Sequence, residues 1–241
     1  MARVTQAHIE ARTIQILDAA WDCFARNGYY ETTMQDIADA AGLSAGAIYR
    51  YYPSKDHVLR AINERSRATG RAVVAEARSL TDEPLAALRA IGDTMLSVFQ
   101  DDEFETTARV NIEVWPHVLR DRALRAGMRD DLRFWHKTVV DFLTEAKRRG
   151  ELRPQVEPQT LATLVICAFE GLRHYRLIDD ETFSADALVQ LVRMVIPEQF
   201  QAEVEAPSVR VALEGPPWKT RPQAKRKRAP SRNGERKRGA S

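Results

Sequence analysis

The chain has 241 residues, 44% hydrophobic and 29% charged, which is enough apolar content for a sizeable core and excludes a chain that is disordered throughout. No apolar run approaches the roughly 18 residues of a membrane span, and MARVTQAHIEAR lacks the apolar stretch of a secretory signal, so a cytoplasmic protein with no membrane partner is expected. The net charge of +2 conceals a split, because residues 216–241 carry ten Lys/Arg against Glu235 alone, a balance of +9 that leaves the other 215 residues at −7.

In chain order, residues 1–8 are expected to form a flexible arm, with Arg3 placed to reach a phosphate or a minor groove. A first long helix is expected from about Ile9 to Asn27, with Ile9, Ile16, Leu17, Ala20, Trp21 and Phe24 on one face and Asn27-Gly28 as its end. Tyr29 and Tyr30 are expected to close that core from the loop.

The stretch Thr33–Tyr52, TMQDIADAAGLSAGAIYRYY, reads as two short helices joined by a tight turn. Ile37, Ala38 and Ala41 give the first helix one apolar face, and both Thr32-x-x-Gln35 and Thr33-x-x-Asp36 have the form of a capping box. Gly42 stands where the chain needs positive φ, which glycine adopts without steric cost, and Ser44 is a natural cap for the second helix. Leu43 and Ile48 have the spacing of a hydrophobic staple. The second helix, Ala45 to Tyr51, opens on Ala-Gly-Ala, so its backbone N–H groups can approach a surface closely, as a helix entering a DNA major groove must. Up to Lys55 there are five Lys/Arg against six acids, so placed side chains and helix ends, rather than bulk charge, must supply the contact.

The run Ile37-Ala38-x-x-Ala41-Gly42-Leu43-Ser44-x-Gly46-x-Ile48-Tyr49-x-Tyr51-Tyr52-x-Ser54-Lys55-x-x-x-Leu59 resembles the DNA-binding headpiece of TetR/AcrR-type transcriptional regulators. The resemblance implies that Ser44, Ala45, Gly46, Ala47, Tyr49, Arg50, Tyr51, Tyr52, Lys55 and one of Thr32 and Thr33 meet DNA. In that scheme Thr33, Tyr52 and Lys55 hold phosphates, while Ala47, Tyr49 and Arg50 face base edges.

A fourth helix is expected from Lys55 to about Leu80, with Gly70 as a weak point inside it. Beyond it the helical period recurs over Pro84–Gln100, Phe104–Trp115, Asp121–Arg149, Pro158–Leu177 and Ser184–Phe200, with prolines near the boundaries and Gly150 as a stop. The fold class is therefore all-α, about nine helices. An N-terminal helix-turn-helix domain (9–70) precedes a helical effector and dimerisation domain (71–202) and a basic tail (203–241) that is expected to be disordered. That tail is either a solvated end or a clamp that releases counterions from DNA.

The last two helices carry apolar faces, Leu161, Leu164, Val165, Ala168, Leu172 and Tyr175 on one and Leu188, Leu191, Val192, Val195 and Ile196 on the other. Each could pack within the monomer; the resemblance implies instead a two-fold homodimer interface matching a palindromic operator. It also implies a pocket for a small-molecule effector, for which Met95, Phe99, Phe104, Asn111, Trp115, Trp135, Phe142 and Phe169 are apolar candidates and Glu113, His117, His136, Glu170 and His174 polar ones. Asn111 and Trp115 share a face that Glu113 does not. The stretch Trp115 to Leu172, with Gly150-Glu151-Leu152-Arg153, is similar to the choline-responsive, BetI-like branch of the family.

Cys23 and Cys167 have no CxxC partner and read as reduced, buried core residues. Neither a catalytic motif nor a metal-binding histidine pair is present, and no cofactor is expected. The reading is a dimeric, ligand-released DNA-binding regulator, more consistent with a repressor than an activator. The alternative is an architectural DNA-binding protein that uses the basic tail and takes no ligand.

Overall fold

The computed structural model describes residues 6–97, 104–184, 187, 190 and 194. Among them the chain forms eight helices and no strand: α1 (Gln6–Asn27), α2 (Met34–Ala40), α3 (Ala45–Ile48), α4 (Lys55–Leu80), α5 (Pro84–Leu96), α6 (Phe104–Arg120), α7 (Arg122–Arg148) and α8 (Pro158–Ile178). Phe99, Leu188, Leu191, Val192, Val195, Ile196 and the basic tail lie outside the described residues, as does most of the expected ninth helix. Among the described residues no helix is long and apolar enough to cross a membrane.

α1 begins at Gln6, three residues before the expected start, so residues 6–8 belong to the helix; Gln6 Nε2 donates to Glu10 Oε1 across that first turn at 3.0 Å. Its apolar stripe packs as the sequence pattern requires, with Ile16, Ala20 and Phe24 fully buried. Thr33, not Thr32, caps α2: its hydroxyl accepts from Asp36 N–H at 3.1 Å, and Asp36 Oδ2 accepts the Thr33 N–H at 2.8 Å, a closed capping box. α2 ends with Gly42 at φ +62°, where Leu43 N–H reaches Ala38 O and Gly42 N–H reaches Asp39 O, the two bonds of a Schellman turn.

One apolar cluster joins α1, α2, α3 and the start of α4, and continues into Val110, Val114 and Val118 of α6 and Leu124 of α7. The packing does not divide at residue 70; the second half of α6 is built into the headpiece. Three smaller clusters hold the rest. Val73, Val74 and Ala77 of α4 meet α5 and Phe142. Leu85, Val139 and Leu143 meet Leu161 and Ala162 of α8. Phe104 and Ala108 gather Leu96, Phe169, Leu172, Leu177 and Phe183.

Two breaker residues act differently from expectation. Gly70 is no weak point: α4 runs unbroken past it, and a Cβ there would stand 2.8 Å from Trp135 Cζ2, so the glycine seats an indole from α7. Pro116 lies inside α6 rather than after it. The lost backbone bond is outweighed locally because Val114 and Val118 on either side are buried in the headpiece cluster. Cys23 is buried as expected, and burial pushes its thiol pKa up, whereas Cys167 is exposed on α8. α8 spends Leu161, Ala162 and Val165 on the core, which turns position 167 to the other side.

Candidate nucleic-acid interface

Ser44 starts α3 with extended backbone and its hydroxyl accepts from Ala47 N–H at 3.2 Å. Only one turn of regular helix follows. Tyr49 N–H still reaches Ala45 O, but Arg50, Tyr51 and Tyr52 bond in a tightening turn, so the expected helix to Tyr51 is shorter. Ile48 is fully buried and Leu43 packs on the same cluster, which fixes the angle of the turn. Outside, Gly46 is exposed with nothing within 4 Å of its missing Cβ, Tyr49 is 51% exposed and Arg50 is exposed. Ala45 and Ala47 are half-buried between them. Small residues, an aromatic and a guanidinium thus stand together on one turn, the set that lets backbone approach a groove and an arginine read guanine.

Four residues of the expected contact set are turned or tied inward. Thr32 is buried and its hydroxyl donates to Gly28 O at 2.7 Å, so it does not reach a phosphate. Tyr51 and Tyr52 pack on the headpiece cluster, and the Tyr52 hydroxyl bonds to Thr13, with burial raising its pKa. Lys55 is the clearest correction. Its ammonium donates to Tyr29 O at 2.5 Å, Thr32 O at 2.7 Å and Tyr30 O at 3.0 Å, and it lies 4.5 Å from the Tyr29 ring centroid. All three ammonium protons are used in closing the α1–α2 loop, and burial lowers its pKa. Thr33 remains exposed, its hydroxyl engaged with Asp36.

The interface is wired to α6 by residues 109, 113 and 117, spaced four apart on one face. Arg109 Nη2 donates to Ala25 O at 2.6 Å, and Glu113 Oε2 accepts the Tyr29 N–H at 2.9 Å. His117 Nε2 lies 2.9 Å from Asp56 Oδ1, which also accepts the Tyr29 hydroxyl at 2.6 Å. Burial works against the Asp56 carboxylate, but the Tyr29 bond and His117 outweigh it and hold its pKa below the usual value. Burial, reinforced by Asp56, pushes the Tyr29 phenol pKa up. Glu113 and His117, read from the sequence as pocket candidates, are therefore joints between α6 and the headpiece. The sequence signal for this was the four-residue spacing of Arg109, Glu113 and His117 opposite the Asn111–Trp115 face.

The remaining pocket candidates do not converge on one wall. Met95, Trp135 and Phe142 belong to the α4–α5–α7 cluster, while Phe169 and Phe104 belong to the cluster at the start of α6. Asn111 donates to Thr107 O within its own helix, and Trp115 is half-buried. Among the polar candidates His136 lies 3.1 Å from Thr163 Oγ1, Glu170 pairs with Arg173 and His174 is exposed. A groove of about 300 Å³ lies between α4 and α7, lined by Arg60, Glu64, Arg67 and Gly127 among others, none of them on the expected pocket list. Among the described residues no His, Cys, Asp and Glu side chains gather as metal ligands.

On α8 the expected dimer face separates into two. Leu161 is buried and Val165 and Leu172 pack inward, so these three serve the monomer, and Ala168 is half-buried. Leu164, Cys167, Gly171, Tyr175 and Ile178 form an exposed stripe, of which Ile178, absent from the expected set, is 84% exposed.

An all-helical chain with an exposed reading turn on a capped helix-turn-helix defines a DNA-binding regulator. The particular family follows from comparison. Residues 16–62 match the family "Bacterial regulatory proteins, tetR family", and residues 84–201 match "BetI-type transcriptional repressor, C-terminal". The chain belongs to the TetR family of transcriptional regulators. It is 26% identical over 212 residues to the HTH-type transcriptional regulator YfiR of Bacillus subtilis, covering 83% of this chain and 98% of that one. It is 27% identical over 187 residues to the regulator TtgR of Pseudomonas putida, covering 75% and 87%. Among solved structures it shares its fold with a SmeT–triclosan complex, with TM-score 0.65, 24% identity, and coverage of 78% of this chain and 93% of that one.

Proposed function

We propose that this regulator is a cytoplasmic repressor that binds a palindromic operator as a two-fold dimer and leaves it when a small molecule binds the effector half. The observation that carries the reading is the exposed turn Gly46–Arg50 on a headpiece whose α1–α2 loop and α4 start are bonded to α6 through Glu113 and His117, so that a shift of α6 is passed to the headpiece that presents the turn. Gly46, Ala47, Tyr49 and Arg50 meet base edges, and Ser44 and Thr33 face phosphates. The exposed α8 stripe is apolar and would be covered by its symmetry mate, which gives the dimer its interface. The effector enters beside Met95, Trp135 and Phe142, the cluster that joins α4, α5 and α7. SmeT, whose fold is shared, has been solved with triclosan, so apolar aromatic compounds are the first to screen.

Footprinting on the region upstream of the gene tests this directly. A protected palindrome, lost in R50A and in the interface variant L164E, and released by an effector from the screen, is the expected result. Protection without a two-fold pattern would overturn the dimeric part, and an L164E protein that remains a dimer in sedimentation would overturn the α8 stripe as its interface. An operator affinity constant under every compound would overturn the effector part.

A further inference from the structure

The groove between α4 and α7 has no part in the operator reading. One face of each helix builds it. Arg60, Asn63, Glu64 and Arg67 follow one another at three- and four-residue steps on α4, and Ala123, Leu124 and Gly127 line it from the first turns of α7. Its volume of about 300 Å³ lies at the lower end of the range for small-molecule sites. The lining stops short of the Gly70–Trp135 contact, on the headpiece side, so the groove is separate from the cluster of Met95, Trp135 and Phe142.

Two arginines in it have bonding capacity that the fold does not use. Asp121 caps α7 with Oδ1, which accepts the Leu124 N–H at 2.7 Å, so Arg60 receives one oxygen only, Oδ2 at 3.1 Å from its Nη2. Among the described residues Arg60 Nε is closed off from solvent and has no hydrogen-bond partner. A buried donor left without an acceptor is costly, and an oxygen brought in by a ligand would relieve it. Arg67 lies against the backbone of α7, where a Cβ on Gly127 would stand 2.8 Å from its Nη1. Its charge is answered by Glu64, which is 62% exposed and is shared with Arg71 at 3.9 Å. An ion pair so open to water is weak, and an entering anion can replace it. Arg60 keeps Asp121, so one guanidinium charge is on offer, which suits a monoanion better than a phosphate dianion.

We propose that this groove is a second ligand site, apart from the effector site named above, and that it takes a small organic monocarboxylate. The carboxylate pairs with Arg67 in place of Glu64, through the planar guanidinium fork that matches two carboxylate oxygens. The carbon skeleton lies on Ala123 and Leu124, and an oxygen at the far end of the molecule accepts from Arg60 Nε. Arg60 and Arg67 are seven residues apart, about 10 Å along the axis of α4, so the carboxylate and that second oxygen belong at opposite ends of the ligand. The occupant touches both helices at the seam where Leu124 of α7 joins the headpiece cluster.

Calorimetric titration of the full-length protein tests this with 4-hydroxybenzoate, benzoate, the neutral 4-hydroxybenzyl alcohol, inorganic phosphate and choline. The expected result is saturable binding of both carboxylates, with 4-hydroxybenzoate the tighter by about threefold or more because it supplies the second oxygen. Phosphate should bind about tenfold more weakly than benzoate, and the alcohol and choline should not saturate. R67Q removes the charge and A123F fills the groove from an exposed position while keeping both arginines; each should weaken 4-hydroxybenzoate by about tenfold or more. Urea midpoints identify a variant that fails to fold, and A123F carries the test if R67Q does. Failure of both carboxylates to saturate would overturn the proposal, as would phosphate, choline or the alcohol binding as tightly as benzoate. So would binding that survives R67Q and A123F, and its loss in M95A would then place the ligand in the effector cluster instead. No DNA is present, so the outcome stands whether or not the operator reading does.

Discussion

A single apolar cluster joins α1, α2, α3, the start of α4, the second half of α6 and Leu124 of α7, and the polar groups around it close on one another: Lys55 on three carbonyls, Tyr29 and His117 on Asp56, Glu113 on the Tyr29 amide. Beyond it, α4, α5, α7 and α8 meet in three smaller clusters, and α8 leaves an apolar stripe uncovered. A body with one core resists internal shear, since any slip opens many contacts together; a body with several small cores can slide along the seams between them. The reading half is built to move as one piece, and the effector half to rearrange. The α6 helix belongs to both, with Phe104 and Ala108 in the last of the small clusters and Val110 to Val118 in the headpiece.

The sharpest way to break this contrast is to hollow the continuous core. F24A, at a fully buried position, should cost about 3–5 kcal/mol and abolish operator binding with it; urea denaturation measures the first and footprinting the second. A loss under 1 kcal/mol would show that the headpiece is not held by one core. K55A should come next, at about 2 kcal/mol, because three carbonyls lose a charged donor. If K55A instead weakens DNA binding with stability unchanged, the lysine faces phosphate after all. T33A should cost about 1 kcal/mol through the lost cap.

The Asp56 joint predicts a pH window. Its pKa lies below the ordinary 3.8, so its contribution is complete above about pH 4 and fades as pH falls through the folded value. Tyr29, raised above the ordinary 10.0, contributes fully below pH 10 and loses that contribution as pH rises beyond it. In D56N the acid-side loss should shrink, seen as a flatter stability curve below pH 4. The smallest effect is on labelling: Cys167 should react with a thiol reagent in the native protein and Cys23 should not, and dimerisation should slow Cys167 as concentration rises.

Periodicity and punctuation revealed most of this fold. The cap at Ser44 and the stops at Gly42 and Gly150 each have a local chemical cause and are readable locally, whereas the capping boxes of Thr32 and Thr33 left the choice between them open and the cap at Asp121 went unread. What could not be read was which side chains the tertiary structure had already engaged. Lys55 and Thr32 have the residue types of phosphate contacts, and only the return of the α1–α2 loop shows that carbonyl oxygens reach them first. Pro116 and Gly70 were read as breakers because propensity is local, whereas the valines beside one and the indole upon the other come from distant elements. Leu161 and Leu164 are both leucines on one helix; their separation into core and surface depends on how α8 is rotated, which its sequence alone leaves open.

The tryptophan resting on Gly70 also sets a ratio of lever arms. α4 is 26 residues long, and its contact with Trp135 falls at the sixteenth, about 22 Å along the axis from Lys55. A tilt of about 5° pivoting there would carry the Lys55 end roughly 2 Å, and in a two-fold pair the separation of the two reading turns would change by up to ~4 Å against a half-site repeat of about 34 Å. With the indole as a fulcrum, a small repacking around Trp135 would be magnified at the DNA into a mismatch of pitch.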